Sequence, residues 1–143
     1  MPKTERHILT ADIGGTHSRF AHFTANENER LDLLSLLWLK TAAAGSFADL
    51  LKNLWNSDFP FDSRQADIVG IALAGPITGS VIGNPPHIPW EVDITHAERD
   101  YGFRRAILIN DFVAQAFSCI SPIGKSAEII LPGAPEPLSA IAV

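Results

Sequence analysis

The sequence predicts an α/β fold, and three observations lead to that prediction. Three strand-like segments follow one another near the start of the chain. An apolar stripe with helical spacing comes next, and two further apolar strands then alternate with helical patterns. Strands that alternate with helices are typical of α/β proteins, in which helices pack on a sheet.

The first three strands are predicted at 8–13, 17–24 and 31–39. The first two are separated by a glycine pair and read as a hairpin. The polar loop 25–30 leads to the third segment, whose apolar pattern fits a strand or a helix. Loops close it on both sides, and a further hairpin strand would follow naturally, so we interpret it as a strand.

A helix is predicted after the connector 41–45, because Ser46 and Asp49 have the spacing of an N-terminal capping box. One face of this helix is apolar and should pack on the sheet. That face consists of Phe47, Leu50, Leu51, Leu54 and Trp55.

The segment 67–74 is predicted to be a central strand covered on both faces, because nearly all its positions are apolar. A tight turn at 75–79 and the irregular loop 84–90 follow it. Three prolines within five residues of that loop exclude a helix or inner strand and make it rigid. The loop is either a ligand-binding loop, with Asn84 and His87 as its polar tips, or a surface connection with a tucked-in tryptophan.

A second helix is predicted at 95–101, ended by Gly102, and a short strand at 106–109 follows. This strand delivers Asn110 and Asp111 to the start of a third helix. The apolar positions of the third helix are Phe112, Val113, Ala116, Phe117 and Ile120.

The hairpin turn at 12–16 has the residues of a phosphate-binding loop. Gly14 and Gly15 tolerate unusual backbone angles and allow close approach, so backbone N–H groups can point at an anion. Thr16 adds a hydroxyl donor, and Asp12 is placed to hold Mg²⁺ through its water shell. The alternative is an ordinary hairpin with a two-glycine turn.

Asn110 and Asp111 also allow two interpretations. Either residue could simply cap the helix that follows, since acceptors and carboxylates are stabilised there. Alternatively, Asp111 faces the same cleft as the first hairpin and accepts a proton from a substrate hydroxyl, while Asn110 binds a neighbouring hydroxyl.

The composition excludes several classes of function. The chain has 143 residues and a net charge of −5, and it contains no Lys/Arg block, which argues against nucleic-acid binding. No apolar run approaches the roughly 18 residues of a membrane span. The histidines match no zinc spacing. A single cysteine, Cys119, fits a reducing compartment and a small core position on a helix, so we expect a cytoplasmic protein.

The end of the sequence looks like the start of a further domain. A strand is predicted at 127–131, a linker at 132–137, and an apolar run at 139–143 stops abruptly. We expect that the sequence is a fragment, or a domain cut where the next one begins.

Three segments together, at 9–19, 71–79 and 107–114, resemble the N-terminal domain of bacterial glucokinases. They read LTADIGGTHSR, IALAGPITG and ILINDFVA. The resemblance implies an actin/ribonuclease-H-like ATPase fold with a mixed five-stranded sheet and helices packed on it. It also implies ATP-dependent phosphorylation of D-glucose at its 6-hydroxyl.

The resemblance implies a role for each matching residue. Asp111 would be the catalytic base, and Asp12 would lie near Mg²⁺. The ATP-binding segment would be Ala11, Asp12, Ile13, Gly14, Gly15 and Thr16. The sugar-binding residues would be Asn110, Asp111, Asn84, Gly75 and Pro76.

Two departures from the family pattern stand out. His17 replaces a common asparagine, which a backbone-mediated phosphate grip tolerates. The family often has asparagine and tryptophan close together in the loop after the second motif, whereas Asn84 and Trp90 are separated here by Pro-Pro-His-Ile-Pro. This spacing leaves the hexose open.

The family pattern also implies a second domain. Residues 1–132 would form the small N-terminal domain, and 133–143 would be the linker and first strand leading to a C-terminal domain absent from this sequence. We expect the 143-residue piece to lack useful kinase activity. By analogy the intact protein is a homodimer built mainly by the other half.

Three alternatives remain. A sugar-responsive transcription regulator would need a basic helix-turn-helix module ahead of the phosphate loop, and only about eight residues precede it. An actin-like ATP-binding protein would have no reason for Asn110 and Asp111. A kinase for another hexose, or one using ADP or polyphosphate instead of ATP, remains open.

Overall fold

The computed structural model describes residues 5–28 and 30–121 and contains a five-stranded main sheet. The strands lie in the order β3-β2-β1-β4-β8. Their bounds are β1 Arg6–Ile13, β2 His17–Ala25, β3 Leu31–Lys40, β4 Ile68–Leu73 and β8 Ala106–Asn110. The five strands predicted from the sequence are confirmed, with ends that shift by one or two residues.

The main sheet is mixed. β1 pairs antiparallel with β2, and β2 pairs antiparallel with β3, so the first three strands form a meander. β4 lies between β1 and β8 and is parallel to both. Parallel neighbours require crossover connections, and these carry the first two helices, α1 (Phe47–Trp55) and α2 (Ala97–Tyr101).

The predicted start of α1 is confirmed. Ser46 is the N-cap, and its hydroxyl oxygen accepts a hydrogen bond of 3.0 Å from the backbone N–H of Asp49. The Asp49 carboxylate bonds the ammonium of Lys52 at 3.1 Å on the exposed side of the helix. The predicted apolar face of α1 is buried at Phe47, Leu50, Leu51 and Leu54, while Trp55 is partly buried.

The core lies on one face of the main sheet, between that face and α1. Every second residue of β1 and β4 points into it. These residues are Leu9, Ala11 and Ile13 from β1, and Val69, Ile71 and Leu73 from β4, all at most 3 % exposed. Phe20 of β2, Leu108 of β8 and Phe103 complete this layer.

The opposite face of the sheet is open in the part of the chain that the structure describes. Ile68, Gly70 and Ala72 of β4 are only half-buried there, so the predicted coverage of this strand on both faces is not seen in 5–28 and 30–121. The edge strand β3 also exposes apolar side chains, and Trp38 is 57 % exposed. A groove of about 430 Å³ runs along this face from Asp12 to Ala114.

The third helix, α3 (Asp111–Ile120), lies against this open face next to β4 and β8. None of its residues is fully buried, and Phe117 and Ile120 are 63 % and 71 % exposed. The expectation that Cys119 is a core residue was therefore wrong: it lies on the helix but is exposed. An apolar helical pattern indicates which side can be buried, whereas burial also requires a neighbour.

Short elements account for the other differences. A small second sheet, β5 (Ile77–Thr78), β6 (Ile82–Gly83) and β7 (Val92–Asp93), was not predicted, because two-residue strands are too short to show a period. α2 begins at Ala97 and ends at Tyr101, and the φ of 73° at the following residue, Gly102, confirms the predicted stop.

Several predictions fall outside the described residues. These are the strand 127–131, the linker 132–137, the run 139–143 and the domain boundary after 132. Within 5–28 and 30–121, no helix is long and apolar enough to span a membrane.

A pair of histidines lies near the amino-terminal end of β1. His7 Nδ1 and His22 Nε2 are 3.0 Å apart, and the His22 ring stacks on Phe61 with centroids 3.6 Å apart. His22 is buried. Burial lowers the pKa of His22 below its ordinary value of 6.5, His7 lowers it further, and Glu5 opposes the shift.

This pKa shift makes stability depend on pH. Below about pH 6.5 the unfolded chain takes up a proton at His22 before the folded chain does. The free energy of unfolding should therefore fall as the pH drops from about 7.5 to 5. Urea unfolding at several pH values should show that His22→Gln reduces this slope. Equal slopes for wild type and His22→Gln would contradict the assignment.

Candidate functional site

The candidate site lies at the carboxyl ends of the three parallel strands. Ile13 of β1 is paired with Leu73 of β4, and Leu73 is paired with Asn110 of β8. The turns that follow these strands therefore start at one level. In open α/β sheets, ligands bind outside this edge.

The first turn, 14–16, joins β1 to β2. The Gly14 N–H donates to the carbonyl of His17 at 3.1 Å, so this amide is used inside the turn. Neither Gly14 nor Gly15 has a positive φ. Close packing explains the glycines instead, since a Cβ on Gly14 would lie 2.8 Å from the His17 carbonyl oxygen. The close approach that glycine allows is therefore seen at this turn, whereas the positive φ that it tolerates is not.

Thr41 stabilises this turn through hydrogen bonds. Its hydroxyl donates to the Gly14 carbonyl at 2.7 Å and lies 2.8 Å from the hydroxyl of Ser18. Its backbone N–H donates to the carbonyl of Thr16 at 3.0 Å. Thr41 and Ser18 are both buried, and the sequence carried no signal for either as a supporting residue.

Gly15 and Thr16 are the parts of the turn that face outward. Both are exposed, and their amides make no hydrogen bond within the part of the chain that the structure describes. Ala11 and Ile13 are 3 % and 1 % exposed, so only their backbone is available to a ligand. The turn can therefore present two adjacent N–H groups and one hydroxyl to an anion.

Asp12 lies on the open face of the sheet, beside the turn. Its carboxylate accepts from the Arg19 guanidinium at 3.0 Å, and both side chains are about half exposed. The Arg19 guanidinium in turn lies over the ring of Trp38, 5.3 Å from its centroid. Sequence reasoning missed Arg19, although the cross-strand pairing of Asp12 with Arg19 follows from a hairpin of this register.

The second turn begins at Gly75, after β4. Gly75 has a φ of 94°, and a Cβ there would lie 3.0 Å from the carbonyl oxygen of Asn84 and 3.1 Å from Pro86 Cδ. Only glycine fits this position without strain. Pro76 is exposed, and its carbonyl accepts a hydrogen bond of 3.4 Å from the Asn84 N–H.

Asn110 connects the second turn to the third. Its Nδ2 donates to the Gly75 carbonyl at 2.9 Å, and its Oδ1 accepts from the N–H of Phe112 at 2.9 Å. Asn110 is thus the N-cap of α3. The structure thus shows the capping role for Asn110, and Asp111 is the first residue of the helix.

Asp111 is half-buried at this edge. One carboxylate oxygen accepts from the Phe112 N–H at 2.9 Å. No ion pair with Asp111 is formed within residues 5–28 and 30–121. A carboxylate with an oxygen left over at a ligand-binding edge can accept a proton from a hydroxyl.

The loop 84–90 fills the space between the first two turns. Asn84 and Pro86 lie against Gly75, and a Cβ on Gly15 would lie 3.1 Å from the Cβ of His87. The indole N–H of Trp90 donates to the Ala44 carbonyl at 3.0 Å, which anchors the far end of the loop. The structure therefore brings Asn84 to the candidate site, with its side chain exposed.

The first turn and Asp111 lie at the same edge of the main sheet, with β4 between them. Gly14 and Asp111 each follow the paired row Ile13, Leu73 and Asn110. Two strand spacings amount to about 10 Å. A ligand that spans this distance can contact both the turn 14–16 and Asp111, and phosphoryl transfer to a hydroxyl needs an anion and a base positioned together in this way.

The comparisons with known proteins identify the family of this chain. The glucokinase family model matches residues 9–143. The chain belongs to the glucokinase family. It is 30% identical over 132 residues to the glucokinase of Sinorhizobium medicae WSM419, and 32% identical over 120 residues to that of Helicobacter acinonychis Sheeba.

A solved structure resembles this chain as well. The glucokinase of an Antarctic psychrotroph matches 80% of this chain with a TM-score of 0.66 and 26% sequence identity. The matches cover 92% and 82% of this chain for the two relatives above, but only 37% and 34% of those proteins, and 35% of the solved chain. The chain thus spans little more than a third of the length of the proteins it matches.

The packing around Gly75 predicts a stability difference between two glycines. Gly75→Ala forces an L side chain to a φ of 94° against Asn84, and we expect a loss of about 1–3 kcal/mol in the free energy of unfolding. Gly70→Ala is the matched control, because a Cβ on Gly70 meets nothing within 4 Å. Urea unfolding followed by tryptophan fluorescence measures both. Equal stabilities of the two variants would contradict the strained turn.

Proposed function

We propose that this chain is the N-terminal domain of an ATP-dependent glucokinase, which phosphorylates the 6-hydroxyl of D-glucose. The observation that carries the proposal is the alignment of the turn 14–16 with Asp111 across the carboxyl ends of β1, β4 and β8. Membership of the glucokinase family supports it. The mixed sheet, with a three-strand meander followed by two parallel strands, supports assignment to the actin/ribonuclease-H-like ATPase fold.

The nucleotide phosphates would bind at the first turn. The exposed amides of Gly15 and Thr16 and the Thr16 hydroxyl are donors, and phosphate oxygens are acceptors. The Gly14 amide would not take part, because it bonds His17. Asp12 would hold Mg²⁺ through water, and its half-exposed carboxylate is an oxygen ligand of the kind that Mg²⁺ prefers.

The sugar would bind at the second and third turns. Asp111 would accept the proton of the 6-hydroxyl as that oxygen attacks the terminal phosphoryl group of ATP, whose bond to the bridging oxygen breaks and releases ADP. The side chain of Asn110 uses one Nδ2 hydrogen on Gly75 and one Oδ1 lone pair on Phe112. Its second Nδ2 hydrogen and second Oδ1 lone pair would bind a neighbouring hydroxyl. Gly75, Pro76 and Asn84 would line the same pocket, because the loop 84–90 packs directly on the second turn.

The rest of the site would come from a second domain. The chain covers 37% of the Sinorhizobium relative, so most of a protein of that length lies outside the aligned region. The open face of the main sheet and α3 carry exposed apolar side chains, including Trp38 and Phe117, of the kind that a further part of the protein would cover. We propose that the 143-residue chain alone lacks useful activity. A homodimer and a cytoplasmic location stay predictions.

Release of ADP from Mg-ATP tests the proposed function. The natural full-length protein that contains this chain should release ADP when glucose is present and none in its absence. Other hexoses, tested in parallel, reveal the preferred sugar, and the 143-residue chain alone should be inactive. Release of ADP without sugar would contradict the kinase and favour an actin-like ATPase.

The role of Asp111 predicts a specific kinetic defect. In the full-length protein, Asp111→Asn should lower kcat by about 10²–10⁴, the usual contribution of general-base catalysis. Affinity for ATP should stay nearly unchanged, because Asp111 lies across β4 from the phosphate turn. Steady-state kinetics measure both. Asp58→Asn, at an exposed loop position, is the matched control and should behave as wild type. A variant at Asp111 that keeps half of kcat would contradict the assignment.

A further inference from the structure

We infer that His87 is a further ligand of the phosphoryl donor, bound beside the turn 14–16. The inference rests on the proposed function and adds a residue to it. His87 lies in the loop 84–90, between Asn84 and Trp90.

Contact with the phosphate turn is the first observation. A Cβ on Gly15 would lie 3.1 Å from the Cβ of His87 and 3.8 Å from its carbonyl oxygen. Gly15 is one of the two exposed turn residues whose amides form no hydrogen bond within residues 5–28 and 30–121. A group that binds both amides would therefore lie within reach of the His87 imidazole.

The second observation is that the loop backbone is fixed on both sides of His87. Before it, Pro86 packs on Gly75, and the Asn84 N–H donates to the Pro76 carbonyl. After it, Ile88 is 8 % exposed and Trp90 is anchored to the Ala44 carbonyl. A side chain carried on so constrained a loop loses little backbone entropy when it binds a ligand.

The imidazole itself is available. His87 is exposed and forms no hydrogen bond or ion pair with any residue in 5–28 or 30–121. In either protonation state an imidazole carries at least one N–H, so it can donate to a phosphate oxygen. Its position beside Gly15 and between the first two turns assigns it to the phosphate groups, whereas Asn110 and Asp111 lie beyond Gly75.

The test uses the natural full-length protein with three variants. His87→Ala removes the donor, His87→Gln keeps an N–H donor, and His96→Ala is the matched control at an exposed histidine that caps α2 without a side-chain hydrogen bond. We expect His87→Ala to lower kcat/KM for Mg-ATP by about 10- to 100-fold, the effect of losing one hydrogen bond to a charged group. KM for glucose should stay nearly unchanged, His87→Gln should recover most of the loss, and His96→Ala should match wild type.

Three results would overturn the inference. One is an unchanged kcat/KM for Mg-ATP in His87→Ala. Another is a defect confined to KM for glucose, which would assign His87 to the sugar. The third is an equal loss in His87→Gln together with a lower Tm, which would assign it to packing on Gly15. Each of these leaves the proposed function intact when the wild type releases ADP with glucose. A wild type without that activity would contradict the proposed function, and the inference about His87 with it.

Discussion

The parallel pairing of β4 with both β1 and β8 is the constraint on which the candidate site depends. It places Ile13, Leu73 and Asn110 in one row, so the three turns begin at the same edge. The row is held by the core, because Ile13 and Leu73 are at most 1 % exposed and pack with α1. A slip of one residue in either pairing would turn these side chains to the open face and expose them. The geometry of the site is thus protected by hydrophobic burial on the other side of each strand.

Polar contacts then fix the turns relative to one another. The Asn110 amide bridges the Gly75 carbonyl and the start of α3, and the Thr41 hydroxyl joins the first turn to the end of β3. These bonds link segments that are 35 and 27 residues apart in the sequence. The backbone and side-chain groups that form these bonds are satisfied within the protein and need neither water nor a ligand. The groups that remain available to a ligand are the Gly15 and Thr16 amides and one Asp111 oxygen.

The sequence allowed the regular elements to be predicted where the pattern was local. The helix start at Ser46, the stop at Gly102 and the strand 106–109 each depend on neighbours a few residues away, and all three are present. Burial was less predictable, since Cys119 is exposed on α3 and Ile68 is only half-buried on a side of the sheet that is open within the described residues. Periodicity shows which residues could share a face, but it cannot show whether anything covers that face.

The site could be predicted in its residues but only partly in its contacts. Asp12, Gly15 and Asp111 follow from motifs, because a strand that ends in polar residues places them at the sheet edge. The supporting role of Thr41 and the packing of His87 on Gly15 join distant segments and leave no local pattern. The hydrogen bond of Gly14 was not predictable either. The motif suggests that its amide binds phosphate, but in the structure this amide donates to the carbonyl of His17 within the turn.

The pair of Asp12 and Arg19 shows how such a site can be stable before its ligands arrive. Asp12 would be a lone carboxylate on an apolar face without Arg19, and the guanidinium is itself placed over Trp38. Exposed ion pairs of this kind contribute only about 0–1 kcal/mol. Separating the pair therefore costs little, so Asp12 can turn to a hydrated Mg²⁺ while Arg19 keeps its contact with Trp38. A buried pair would have cost far more to open. The exposure of Asp12 on the open face is thus a requirement of the proposed magnesium role.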